Sequence, residues 1–184
     1  TEVDTLSLHD ALPIFSKEMS EEDHMYLKLM IEELNRAETI INDYLSLAKP
    51  DVGKLEIIDG SEMTEQVMDL MSSYAMMSKN ISLHTEIRDQ VKIRGNKSEL
   101  KQVLINILKN GIEAMGDGGK LSMTLGKQGD FGVFIIKDTG IGMTAEELSR
   151  LGTAFYSLKE RGTGMGLMVC YQIVERMKGQ IKVS

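Results

Sequence analysis

Three short stretches carry residue types that could do chemistry. In "DTGIGM" the acid Asp138 stands just before Gly140 and Gly142. A carboxylate only accepts hydrogen bonds, so it could receive an exocyclic amine such as that of adenine. A hydrogen bond to a charged group contributes roughly 1.5–3 kcal/mol, enough to select adenine over guanine, whose carbonyl would face the acid. The two glycines let backbone approach a flat ring with no Cβ in the way. In "GTGMGL" Gly162, Gly164 and Gly166 alternate with Thr163, Met165 and Leu167 at the entry to a helix, where backbone N–H groups hold anions. Lys159 and Arg161 add positive charge nearby. The third stretch, 97–115, places Gln102, Asn106, Asn110 and Glu113 four, four and three residues apart, on one helical face. Asparagine is a poor mid-helix residue because it competes for backbone hydrogen bonds. Two of them one turn apart aim neutral carbonyl oxygens one way, and Mg²⁺ takes only one or two protein oxygens beside water and phosphate.

Taken alone, the helix flank is explained by a solvated polar stripe and the acid loop by a turn after a strand, and Gly-x-Gly-x-Gly is a weak signal. In this order they describe a ligand with two different ends. A base would sit at the first loop, phosphates at the second, and a metal between them, with 144–161 as a mobile lid. A P-loop, G-x-x-x-x-G-K-[ST], is absent. A dinucleotide fingerprint is unsupported, because no βαβ unit with a following acid surrounds the glycines.

The elements that must position these residues follow from periodicity. Residues 20–48 read as a helix capped by Ser20, with Glu21, Glu22 and Asp23 in its first turn. Leu27, Leu34, Ile41 and Ala48 recur every seven residues, and Met30, Ala37 and Tyr44 form a second row, in an otherwise charged surface. Such a seam needs a partner and is expected to be exposed or to self-associate. Lys49-Pro50 ends it. An extended stretch lies in 51–59, a second helix in 62–79, strands in 80–87 and 90–95, and a helix in 97–115 with an Asn96…Glu99 capping box. Two strands joined at Gly129-Asp130 come next. A last helix spans 167–177, and "GQIKVS" begins another strand. These elements predict an α/β two-layer sandwich, with helices on one face of a mixed sheet.

Composition sets the remaining bounds. The chain has 184 residues, enough for one domain plus an appendage, with 27% charged and 42% hydrophobic residues. A net charge of -7 and no basic stripe argue against nucleic acid as a partner. No apolar run approaches about 18 residues, so no membrane span is expected, and no signal peptide is visible. The single cysteine, Cys170, cannot form an internal disulfide and is expected to be a buried thiol in a reducing compartment. Residues 1–14 have no clean period and join poorly to the helical stretch that begins at Ser20.

The order of "ELKQVLINILKNGIEAM", "DTGIGM" and "GTAFYSLKERGTGMGL" closely resembles the N, G1, F and G2 boxes of sensor histidine kinases, within the wider group of ATPases that includes gyrase, the Hsp90 chaperones and MutL. "IEELNRAETIINDYLSLAKP" resembles the second helix of the dimerisation and phosphotransfer hairpin, most like that of sporulation-type kinases. The resemblance implies a Bergerat-type ATP-binding fold over 51–184, with a truncated last strand, preceded by a remnant of the hairpin over 1–50. It implies ATP and Mg²⁺ as cofactors. Asn110 would bind the metal and Asn106 would assist; Asp138 would contact adenine, with Gly140 and Gly142 lining its pocket. Arg161, Gly162, Thr163, Gly164, Met165, Gly166 and Leu167 would wrap the phosphates, with Phe155 and Tyr156 in the lid. Asn106, Glu113 and Lys159 would serve catalysis, Glu113 by orienting the acceptor imidazole.

The implied activity is autophosphorylation on histidine and relay to a response-regulator aspartate. The implied setting is a cytoplasmic homodimer formed through the hairpin, with any membrane anchor upstream. Ala154, Ser157, Leu158 and Met165 stand where family members often carry Pro, Thr, Thr and Leu. His9-Asp10 followed by Pro13 departs from the family's H-box, which has Arg and Asn before a later Pro. His24 reads as a surface residue and His84 as a structural one. A chain that holds nucleotide without phosphotransfer is the alternative. An ATP-operated clamp is a third reading, disfavoured by the heptad helix directly upstream of the boxes.

Overall fold

Local hydrogen bonding starts each helix. In the computed structural model, which describes residues 20–48, 55–116, 118–153, 156–157, 162 and 164–184 but not the side chains of 39, 42, 43, 46–48 and 76–79, helix α1 spans Glu21–Ala48. Ser20 Oγ accepts from Asp23 N at 3.1 Å, and Ser20 N donates back to Asp23 Oδ2 at 2.9 Å. Residues 1–14, His9 among them, lie outside the described residues. Within the heptad seam Leu34 is 58% and Ile41 57% exposed, as expected, while Leu27 is half-buried. The apolar surface is also wider than the seam, since Met25, Tyr26, Leu29, Ile40 and Leu45 are exposed too. The remaining surface of α1 is therefore not simply charged. His24 is exposed, its Nδ1 3.0 Å from Ser20 O.

Two compact units divide the chain, Thr1–Asn42 and Asp43–Ser184. The second contains everything after α1. Strand β1 (Glu56–Asp59) leads directly into helix α2 (Gly60–Lys79), which starts two residues earlier than its apolar period implies. The cause is the cap: Asp59 accepts from Ser61 N and Glu62 N. Asn80, at φ +51°, closes α2 in the left-handed region that asparagine tolerates. Strands β2 (Ile81–Ile87) and β3 (Lys92–Gly95) come next, then helix α3 (Lys97–Ala114). Asn96 caps α3 through Ser98 N and Glu99 N. The reciprocal half of the expected box is missing, because Glu99 Oε1 takes Arg176 Nη2 at 2.6 Å instead.

Strands β4 (Gly119–Gln128) and β5 (Phe131–Lys137) form the expected hairpin, with Gly129 at φ +59° in its two-residue turn. The strands form two ladders. β1 and β3 pair antiparallel, while β2, β4 and β5 make a mixed three-stranded sheet, with β2 parallel and β5 antiparallel to β4. Leu121, Met123 and Leu125 of β4 are fully buried, and α2 and α3 contribute Met63, Val67, Leu104, Leu108 and Ile112 to the core that holds Leu121 and Met123. This is an α/β sandwich with helices against a mixed sheet. His84 is exposed on β2, opposite Ser122 of β4.

Helices α4 (Ala145–Ser149) and α5 (Gly166–Arg176) complete the described elements. Val169, Cys170 and Ile173 of α5 form a second buried cluster with Val103 of α3. The thiol of Cys170 is buried as expected and lies 3.9 Å from Val103 O. "GQIKVS" forms no ladder among the described residues, contrary to its alternating pattern. Ile181 packs instead on the Val169/Ile173 cluster, so its apolar side chain is covered without strand pairing. Among the described residues no helix is long and apolar enough to cross a membrane.

Candidate functional site

Helix α3 is the ruler of the site. Its apolar rows, Leu100, Leu104, Leu108 and Met115, are buried against the core. That fixes the helix about its axis and leaves Gln102, Asn106, Asn110 and Glu113 on a half-covered flank. The flank is therefore not a freely solvated stripe. Asn106 Nδ2 is shut away from solvent with no hydrogen-bond partner, and a Cβ added at Gly166 would stand 3.8 Å from it. An unmade bond of this kind costs roughly 1–3 kcal/mol. As oriented, Asn106 presents a donor, which suits a phosphate oxygen better than a cation.

The C-terminal turn of α3 holds the first glycine loop. Ile141 N donates to Ala114 O at 3.2 Å, and a Cβ at Gly140 would lie 2.8 Å from that same oxygen. Only glycine admits so close a passage. Thr139 Oγ1 accepts from Lys120 N at 3.0 Å, which pins the loop to the start of β4 as well. Asp138 lies just past β5, and one carboxylate oxygen accepts from Gly140 N at 2.9 Å. The acid is exposed, one residue past the end of β5. The other oxygen lies 3.5 Å from where a Cβ of Gly111 would be. Gly111 therefore adjoins both Asn110 and Asp138, and any side chain there would press on the acid. Gly111 is not among the site residues expected from the sequence; its signal is a glycine inside an otherwise well-patterned helix, where it weakens the helix unless packing needs the space. Gly142, at φ +69°, turns the chain away from the loop.

The second loop reaches α5 with Gly164 at φ +68°. The helix starts at Gly166, one residue earlier than expected, after Met165, which offers no side-chain cap, and its first turn has no acid. Met165 thus supplies no side-chain cap, and no acid in the first turn offsets the positive end of the helix. Gly162, Met165, Gly166 and Leu167 are half-buried or buried.

Between the loops, α4 opens with a full capping box, Thr144 with Glu147. The Thr144 backbone and hydroxyl hydrogen bonds hold the Glu147 carboxyl below its ordinary range. Arg150 stacks over the Tyr156 ring at 4.1 Å, and Gly152, at φ +78°, lies against the ring of Tyr171 in α5. Phe155, Lys159, Arg161 and Thr163 lie outside the described residues. Glu113 accepts from Tyr74 Oη at 3.4 Å, with Lys109 Nζ 3.9 Å from the same oxygen.

An acid beside a glycine loop, a polar helix flank and a glycine-led helix start thus meet around one helix. The family described as histidine kinase-, DNA gyrase B- and HSP90-like ATPase matches residues 95–184, which contain all three. Residues 95–184 are thus similar to this ATPase family. Sporulation kinase E of Bacillus subtilis (strain 168) is 42% identical over 162 residues, 87% of this chain and 22% of that protein. The chain thus spans about a fifth of that relative's length. The nucleotide-free catalytic domain of histidine kinase ThkA is 25% identical with a TM-score of 0.63, covering 68% of this chain and 82% of that one. ThkA in complex with the response regulator protein TrrA shares the fold over 91% of this chain and 49% of that one, at 23% identity and a TM-score of 0.72. The chain accordingly shares the sandwich of histidine kinase catalytic domains.

Proposed function

We propose that this chain is the catalytic part of a sensor histidine kinase, with 51–184 as the ATP-binding domain and 1–50 as part of the dimerisation hairpin. One observation carries the reading. Asn106 keeps a buried donor with no partner among the described residues beside the start of α5, where Met165 gives no side-chain cap, and the same helix, one turn on, adjoins Asp138 through Gly111. A nucleotide supplies what each end lacks: anionic oxygens for the donor and the helix start, and an amine for the acid.

In this reading Asp138 accepts the adenine amine and Gly140 and Gly142 face the ring. Gly162, Gly164, Gly166 and the first N–H groups of α5 hold the phosphates, with Met165 and Leu167 fixing the turn. Asn106 donates to a phosphate oxygen, and the carbonyl of Asn110 offers a hard ligand for Mg²⁺. Among the described residues no group of three His, Cys, Asp or Glu could cage a metal, which suits an ion that keeps water and phosphate ligands. When bound, Mg²⁺ neutralises charge on the phosphates. Lys159, Arg161 and Thr163 add charge and N–H groups at the phosphates, while Phe155 and Tyr156 belong to the lid. The imidazole nitrogen of an acceptor histidine attacks the γ-phosphorus, the bridging P–O bond breaks, and ADP leaves. The proton on the other imidazole nitrogen faces Glu113, whose carboxylate stabilises the positive ring. Catalysis is mainly positioning.

The phosphoryl group then passes to the aspartate of a response regulator; ThkA, whose fold this chain shares, has been captured with one. The exposed apolar surface of α1 pairs with a second copy in the intact protein. The setting is cytoplasmic, where ATP and a reduced Cys170 are found. The test is transfer of label from γ-labelled ATP to an added, intact histidine-bearing hairpin. Acid-labile label on the hairpin is expected. ATP binding without transfer to any hairpin supports the alternative, a nucleotide-binding module, which the poor H-box around His9 favours.

A further inference from the structure

We propose that Tyr74 is a positioning residue for phosphoryl transfer, acting through Glu113. This deepens the kinase reading and rests on it. Tyr74 belongs to α2, outside the helix that carries the polar flank, and its hydroxyl donates to Glu113 Oε1 at 3.4 Å. Lys109, one turn before Glu113 on α3, places Nζ 3.9 Å from the same oxygen. A glutamate near the end of a helix has several rotamers of similar energy. A donor from a neighbouring helix and a cation from its own helix select one of them.

The selection bears on the site because Glu113 follows Asn110 by three residues, so the two side chains are neighbours on the flank. Tyr74 is 37% exposed, so part of its ring rests against the protein while its hydroxyl meets Glu113. Burial, followed by the charge of Glu113 and the hydrogen bond to it, pushes the Tyr74 phenol above its ordinary range, so it remains a donor at neutral pH. At 3.4 Å the bond is long for an O–H donor. Bonds of this kind tighten when the reactants are bound. A carboxylate accepts on both oxygens, so holding Oε1 orients the group toward the incoming imidazole without saturating it.

The experiment is a double-mutant cycle in the whole chain: Tyr74→Phe, Glu113→Gln and the pair. Each variant is assayed for transfer rate to the added hairpin at saturating ATP, for ATP affinity and for Tm. Tyr74→Phe is expected to slow transfer roughly three- to tenfold, leave ATP affinity and Tm unchanged, and add nothing in the Glu113→Gln background. A further slowing in that background, or a loss of ATP affinity in place of transfer rate, overturns the proposal. Titration of the Tyr74 phenol gives a readout without turnover: in Glu113→Gln it moves down toward the ordinary tyrosine range, and an unmoved titration overturns the pairing. A wild-type chain that transfers to no hairpin sinks the kinase reading and this proposal together. A wild-type chain that transfers at the same rate as Tyr74→Phe sinks this proposal alone.

Discussion

Leu34 and Ile41 of α1 are 58% and 57% exposed, whereas Leu104 and Leu108 of α3 are 2% and 0% exposed. Both pairs belong to apolar rows spaced for a helix, and both helices begin with a side-chain cap. The difference lies in what surrounds them. Helix α3 finds β4, α2 and α5 within its own unit, while α1 finds no cover for its seam among the described residues. An amphipathic pattern states that a face must be covered; it does not state by what. The unit after α1 closes its own core, and α1 leaves Leu34 and Ile41 exposed.

Truncation breaks this comparison most sharply. Leu108→Ala should destabilise the chain by about 2–5 kcal/mol, because the vacated volume has no water to fill it and little freedom to collapse. Leu34→Ala should change stability by no more than about 0.5 kcal/mol, yet weaken association through α1. Denaturant unfolding and sedimentation separate the two; equal losses of stability would mean that α1 is packed like α3.

The helix starts give a smaller effect. Asn96→Ala removes two backbone partners at the head of α3 and should cost about 1 kcal/mol, read as a lower denaturation midpoint. An unchanged midpoint would show that the Arg176–Glu99 ion pair alone secures that end.

The smallest effect is local and pH-dependent. Thr144 holds Glu147 below its ordinary carboxyl range, and Lys92, followed by the α2 backbone, does the same for Asp59. Both folded-state values are depressed, so what these groups contribute is present above their unfolded pKa and is lost as pH falls through the folded one. Hydrogen exchange should show protection of α4 and of the start of α2 fading on acidification, while α3 holds. Protection of α4 that stays flat across that range would contradict the role given to the capping box.

Elements with a strong period were readable in the sequence: α1, α2, α3, the β4–β5 hairpin and α5 all lie where periodicity and turn residues put them. What depended on distant partners was not. The Asn96…Glu99 box is half made because Glu99 meets an arginine 77 positions away. "GQIKVS" alternates like a strand but spends Ile181 on the α5 cluster. The β1–β3 ladder joins segments on either side of α2 and β2, a pairing that no local pattern encodes. For the site, residue types announced Asp138, the asparagines and the glycine loops. Gly111 became visible only once α3 and the Asp138 loop were in contact.

The central claim is that Asp138 recognises an adenine amine at one end of a nucleotide whose phosphates meet Asn106 and the start of α5. ATP affinity of wild type against Asp138→Asn, measured by calorimetry with Mg²⁺ present and with GTP as the control, tests it most directly. The account predicts that wild type prefers ATP to GTP and that the substitution weakens ATP about ten- to a hundredfold. Equal ATP affinity in the two proteins would contradict it.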